Sequence, residues 1–246
     1  MFDPESNFFT RRLAARFVVP HDPVDERWLL LVHRAVTRAF EIIRAERYPL
    51  KSALENDITI KLENVLNNQV LNQGEVEGFD KSFFGKVRRV EVVNFDGTKK
   101  AKKPDLCFDL QRENRIDWDQ LQDAIFVECK PVDNSHSLNA HYCAVGRDCT
   151  GIERFIIGDY AWAMHEAMMI GYVRDGFHID PHLANSLADS KRHKSLGSPT
   201  LPVSVVCHVE GSNPLYNTRH RRVFTWKQNG RVATPITLYH SWHDCE

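Results

Sequence analysis

Four consecutive apolar residues, Ala124 to Val127, run without a break into Glu128-Cys129-Lys130 and stop at Pro131. A short apolar run of this kind reads as a buried strand, here spanning Asp123–Pro131, with the proline ending it. Successive strand residues point to opposite faces, so residues two apart leave the same one. Glu128 and Lys130 therefore project together from the end of a buried strand. Unpaired charge is costly in such a place. The pair needs partners from elsewhere in the chain, or a ligand.

The rest of the chain supplies an ordinary globular setting. Its 246 residues are 42% hydrophobic and 26% charged, enough to build a sizeable core. The net charge of −1 means that any basic surface is local and offset elsewhere. No repeat, low-complexity segment or linker interrupts it, which favours one domain over 1–246, with an N-terminal helical segment (about 1–48) and a strand-rich C-terminal extension (about 200–246). The six cysteines show no disulfide spacing. The opening MFDPESNFFTRR has no signal-peptide pattern. No apolar run approaches the roughly 18–20 residues of a membrane span. The expectation is a cytoplasmic protein with reduced thiols and no membrane partner.

Periodicity places the elements. Leu29, Val32, Val36, Phe40 and Ile43 recur at helical steps, predicting a helix over Arg27–Ala45 that breaks at Tyr48-Pro49. A second helix is predicted over Ser52–Asn68, with Ser52 and Glu55 matching a capping box. Valines dominate Val87–Phe95, and Asp96-Gly97 signals a hairpin returning into a strand at Asp105–Leu110. Further expectations are a helix over Gly151–Glu166, a strand over Met168–Val173 and a helix over His182–Lys191. Late strands are expected over Leu201–Val209, Arg222–Trp226 and Ile236–Ser241. The order is that of a mixed α/β layered domain.

If the strand opened by Asp105 neighbours the strand carrying Glu128 and Lys130, two carboxylates and an ammonium converge. Such a cluster suits phosphodiester hydrolysis. Carboxylate oxygens suit Mg²⁺, which keeps several waters and takes substrate phosphate. The metal activates a bound water, and Lys130 can orient that water or neutralise charge in the transition state.

Pro104-Asp105 followed by Glu128-Cys129-Lys130 resembles the PD-(D/E)xK motif of restriction-type nucleases over roughly residues 50–175. The resemblance implies a restriction-endonuclease-like α/β core, a central mixed β-sheet flanked by helices. It implies Asp105 and Glu128 as metal ligands with the backbone carbonyl of Cys129, Mg²⁺ as cofactor with Mn²⁺ as a substitute, and Lys130 as the catalytic base or water-orienting group. A helical Glu assists in such enzymes. Glu55, in a Glu-x-x-Ile-Thr pattern, matches it, although the capping box accounts for Glu55 as well; Glu63 is the alternative. Asp109, on the strand face of Asp105, is either an accessory acid or a solvated residue.

Lys99, Lys100, Lys102 and Lys103 precede Asp105, with Lys86, Arg88 and Arg89 on the other strand of the hairpin, and all could contact phosphates. Arg154, opening the helix after the Glu-Cys-Lys strand, is a further candidate, or else pairs with Glu153 or Asp159. The clusters Lys191–Lys194 and Arg219–Arg222 could bind phosphate or be solvated loops. The function expected is a Mg²⁺-dependent DNA endonuclease, with restriction or anti-phage defence implied by the resemblance. Partners would be DNA, a second copy of the chain for two-strand cleavage and a controlling protein. The alternatives are a nucleic-acid binder on the same fold without catalysis, or a zinc-stabilised interaction protein using His141, Cys143 and Cys149 or His240, His243 and Cys245.

Overall fold

The computed structural model describes residues 18–99, 102–112, 117–146, 150–205 and 213–246. Lys100, Cys149 and Cys207, and the ends of two expectations (residues 1–17 of the helical segment and 206–209 of a late strand), lie outside the described residues.

Helix α1, Glu26–Ala45, forms where the apolar stripe predicts it. Asp25 caps it by accepting from the Arg27 N–H, and Leu29, Val32, Val36, Phe40 and Ile43 are buried. Burying such side chains stabilises by roughly 1.5–3 kcal/mol each. Helix α2, Glu55–Val65, follows and continues as a π-helical turn over Leu66–Leu71.

Seven strands form one mixed sheet: β1 Phe84–Arg88, β2 Leu106–Leu110, β3 Ala124–Val132, β4 Glu166–Val173, β5 Val203–Val205, β6 Leu215–His220 and β7 Ile236–Asp244. Their spatial order is β1-β2-β3-β4-β7-β6-β5. β3 pairs with β4 in parallel, and β4 with β7 in parallel. β1, β2 and β3 pair antiparallel, as do β5, β6 and β7. The protein is thus an α/β fold with a mixed sheet flanked by helices. β3 is buried along its full length, extending through Pro131 to Val132. Gly171 in β4 lets the Trp242 ring lie on the sheet, since a Cβ there would sit 2.5 Å from it.

Several local expectations are corrected. Ser52 does not cap α2: the N-cap is Leu54 and carries no side-chain cap bond, while the Ser52 hydroxyl turns back to the Pro49 carbonyl. The strand expected over Val87–Phe95 is the shorter β1, followed by a hairpin closed by the single bridge Val92–Lys102. The helix expected over Gly151–Glu166 is only the short α3, Glu153–Ile156. Gly158 and Ala161 take positive φ and turn the chain out of the helix. The segment expected as a helix over His182–Lys191 is divided into α4, Ala184–Ala188, and α5, Ser190–His193, because Asp189 leaves the helical region and caps the second piece. Arg222–Trp226 is not a strand. Arg222 is buried, and its guanidinium donates to the carbonyls of Thr234, Ala161 and Trp162, which fixes an irregular path.

Candidate active site

The β2–β3 register pairs Leu106 with Val127, so Asp105, one residue ahead of β2, comes beside Glu128. The Cys129 N–H donates to Asp105 Oδ2 at 2.8 Å. On the same face as Glu128, Lys130 reaches back with its Nζ 3.0 Å from Glu128 Oε1 and 3.7 Å from Asp105 Oδ2. From α2, Glu55 Oε1 accepts from Lys130 Nζ at 2.8 Å. The Cys129 carbonyl accepts from the same ammonium at 2.7 Å. Two strands and one helix start thus deliver three carboxylates and a carbonyl around one cation. The failed capping box leaves this ion pair as the role of the Glu55 carboxylate. Glu63 enters none of these ion pairs among the described residues.

Burial sharpens the electrostatics. The side chain of Glu128 is 2% exposed and that of Lys130 9%. Desolvation, with the negative charge of Glu128, pushes the Asp105 carboxyl up to about 7 against the pull of Lys130 and the Cys129 N–H. Burial opposes the charge on Lys130, yet Glu128, Asp105 and Glu55 outweigh it and hold the ammonium well above the usual lysine range. In this arrangement the Lys130 ammonium donates to Glu55 and to the Cys129 carbonyl. The Cys129 thiol is fully buried and pushed far up by desolvation, so only its backbone serves the site.

Tyr160 is the participant that sequence patterns alone missed. Its hydroxyl donates a short hydrogen bond to Glu128 Oε2. Arg154 lies over the Tyr160 ring at 5.9 Å, with its Nε 4.0 Å from Glu128 Oε1. The aromatic Tyr160 reads in the sequence as a packing residue, and its partner lies 32 positions away.

Three of the hairpin lysines are held in ion pairs. Lys102 Nζ is 2.6 Å and Lys99 Nζ 3.7 Å from the buried carboxylate of Asp159, and Lys103 pairs with Glu91 at 2.7 Å. Asp109 holds Arg88 through two hydrogen bonds of 2.6 and 2.7 Å. Within Arg219–Arg222, His220 and Arg222 are buried, while Arg219 and Arg221 are exposed. In Lys191–Lys194, Arg192 pairs with Asp189.

Two of the histidines expected as zinc candidates, His240 and His243, are tied into hydrogen-bond chains, and the His141 ring lies edge-on to His136. His240 bonds Tyr142 at 2.9 Å and Thr218 at 2.7 Å; His243 bonds Ser241 at 2.7 Å and Asn213 at 3.1 Å. Cys143 and Cys245 are buried free thiols. Among the described residues, no three His, Cys, Asp or Glu side chains are gathered closely enough to hold an ion by themselves. No helix among them is long and apolar enough to cross a membrane.

The donor set around Lys130 suits a hard cation all the same. Asp105, Glu128 and the Cys129 carbonyl are oxygen donors, and three carboxylates face one ammonium with Arg154 at the margin. Mg²⁺ is commonly held by one or two carboxylates plus water and phosphate, not by an all-protein cage. Comparison with family models, with curated proteins and with solved structures gives no match.

Proposed function

We propose that this chain is a Mg²⁺-dependent endonuclease that hydrolyses phosphodiester bonds in DNA, on a restriction-endonuclease-like core. The observation that carries the reading is the convergence of Asp105, Glu128 and Glu55 on Lys130 from two neighbouring strands and a helix start. A structural ion pair needs one acid for one base. Here a buried lysine is surrounded by an excess of carboxylates, an arrangement with spare negative charge for a divalent ion. The choice of DNA, and a setting in restriction or anti-phage defence, rest on the motif resemblance.

Asp105, Glu128 and the Cys129 carbonyl would hold the ion, with Mn²⁺ as a substitute. When bound, the ion polarises a phosphoryl oxygen and makes a bound water acidic. Lys130, held protonated, orients the attacking water or offsets negative charge gathering on the phosphorus. Glu55 keeps Lys130 in place through the 2.8 Å bond. Tyr160 fixes the Glu128 carboxylate by its hydroxyl. Asp105, pushed up to about 7, must give up its proton to serve as a ligand, so ion binding strengthens as pH rises through neutrality.

A second reading, a nucleic-acid binder on the same fold that does not cleave, is favoured by one feature: Lys130 already engages the Glu128 and Cys129 oxygens that an ion would use. Supercoiled plasmid incubated with Mg²⁺ separates the two. Wild type should nick or linearise it, EDTA should stop the reaction, and Lys130→Ala should lose at least about a hundredfold in rate. Equal behaviour of wild type and Lys130→Ala, or intact plasmid with both, refutes the nuclease and leaves the binder.

A further inference from the structure

The outer edge of β1 carries cations whose partners are neutral or absent, and it begins at the candidate site. Arg89, just past β1, is exposed, and its Nη2 donates to the uncharged side chain of Asn56 at 2.8 Å. A neutral acceptor steadies the guanidinium without cancelling its charge. Arg89, Lys103 and Asp105 line one cleft of about 320 Å³. Lys86, in the middle of β1, and Lys81, ahead of its start, line a second cleft of about 470 Å³ together with Gln111. No ion pair is formed by Lys81, Lys86 or Arg89 among the described residues. Two nearby acids are already engaged: Glu91 by Lys103 and Asp109 by Arg88.

The same edge is closed to another strand. The Asn67 side chain accepts from the Val87 N–H at 3.0 Å and donates to the Val87 carbonyl at 2.8 Å, filling the position of a neighbouring strand. An edge with its backbone capped and its cations free fits an anionic ligand better than a β-strand partner. The five residues of β1 span about 17 Å at about 3.3 Å each. That length matches about five nucleotides of one B-form strand.

We infer that the outer edge of β1, from Arg89 through Lys86 to Lys81, is a track for the phosphodiester backbone that leads a nucleic-acid strand to Asp105. The inference deepens the nuclease reading and rests on it for the identity of the polymer. Arg89 is the cation adjacent to the chemistry, and Asn56 is the residue that positions it.

The test measures binding in EDTA, where cleavage cannot intervene. Fluorescence anisotropy of a short labelled DNA duplex is recorded against salt for wild type, for the double variant Lys86→Ala/Arg89→Ala, and for Lys191→Ala/Lys194→Ala as a basic control off the track. Each lost phosphate contact lowers the slope of log affinity against log salt by about 1. The double variant should lose about 2 and the control nothing, with circular dichroism unchanged in both. An unchanged slope in the double variant, an equal loss in the control, or no binding by wild type overturns the track. Wild type that binds in this way but leaves plasmid intact with Mg²⁺ sinks the nuclease and keeps the track.

Discussion

Asn67 offers the sharpest test of how this sheet is finished. It sits in the π-helical turn after α2, is buried, and satisfies both backbone groups of Val87 with one amide. Replacement by Leu keeps the branching and the number of heavy atoms, and it removes both bonds together with the 3.1 Å bond from the same amide to the Glu63 carbonyl. The isobutyl group would then cover the Val87 N–H and carbonyl and keep water from them. An unsatisfied buried polar group costs about 1–3 kcal/mol, so two cost about 2–6. The added apolar burial returns about 1 kcal/mol, leaving a net loss of about 1–5 kcal/mol. Asn67→Ala removes the same bonds but opens space for water, and its loss should be smaller, about 1–2 kcal/mol. Urea denaturation reads both losses as shifts in midpoint, about 1 M for the Leu variant at an m of 2–3 kcal/mol/M. The order matters more than the size. At a site that only fills space Ala would be the worse substitution, so an Ala variant less stable than the Leu variant refutes the role of Asn67 as a surrogate strand. The Ala variant also uncovers the edge, and light scattering after size exclusion should then show concentration-dependent association.

Two further outcomes are expected. Tyr160→Phe removes only the hydroxyl that holds Glu128. Supporting hydrogen bonds to metal ligands are typically worth about 10–100-fold in affinity, so calorimetric titration with Mg²⁺ should show at least tenfold weaker binding, beside a stability loss of about 1–3 kcal/mol from the buried Glu128 oxygen left without its partner; unaltered affinity would count against a positioning role. The acid limb of stability is the second. Burial lowers His21 and His220 to about 4 and His240 to about 3, and it lowers His33 and His243 as well. These groups bind fewer protons in the folded chain than in the unfolded one, so stability falls as pH drops from 6.5 towards 4, by up to about 3 kcal/mol for a histidine shifted to about 4. Asp105 and Glu166, pushed up to about 7, hold protons in the folded state over that same window and act with the opposite sign. His165 is lowered by burial as well and Asp119 raised by it, so six imidazoles outweigh three carboxyls and the urea midpoint should fall on acidification; a midpoint that rises would mean that the histidines are not the controlling groups.

The elements that sequence patterns reveal here are those whose cause is local. The 3.6-residue stripe of α1, the alternation in β2 and the apolar run of β3 depend only on near neighbours, and all three elements form within a few residues of expectation. The shared face of Glu128 and Lys130 follows from strand period alone. What remained hidden depends on distant contacts. Ser52-x-x-Glu55 reads as a capping box, but Glu55 is drawn to a lysine 75 positions away. The basic hairpin reads as a phosphate surface until Asp159, 57 positions beyond Lys102, binds it. The turn at Gly158 and Ala161 depends on left-handed backbone that no apolar period reports. Arg222 reads as part of a basic surface patch because nothing nearby in sequence announces the three carbonyls that bury it.

The place of β7 has a consequence for the order in which a ribosome delivers this chain. β4 lies beside the strand of Glu128 and Lys130, yet its other long edge is satisfied only by Ile236–Asp244, translated about sixty residues later. Until that segment emerges, β4 has one open edge, and the parallel pairing on which the acids rest is half supported. A nascent chain can hold Asp105, Glu128 and Lys130 in full and still lack the half of the sheet that lies beyond β4. The sheet that backs the cluster is therefore completed late in synthesis, after the strands that carry the acids have long been made.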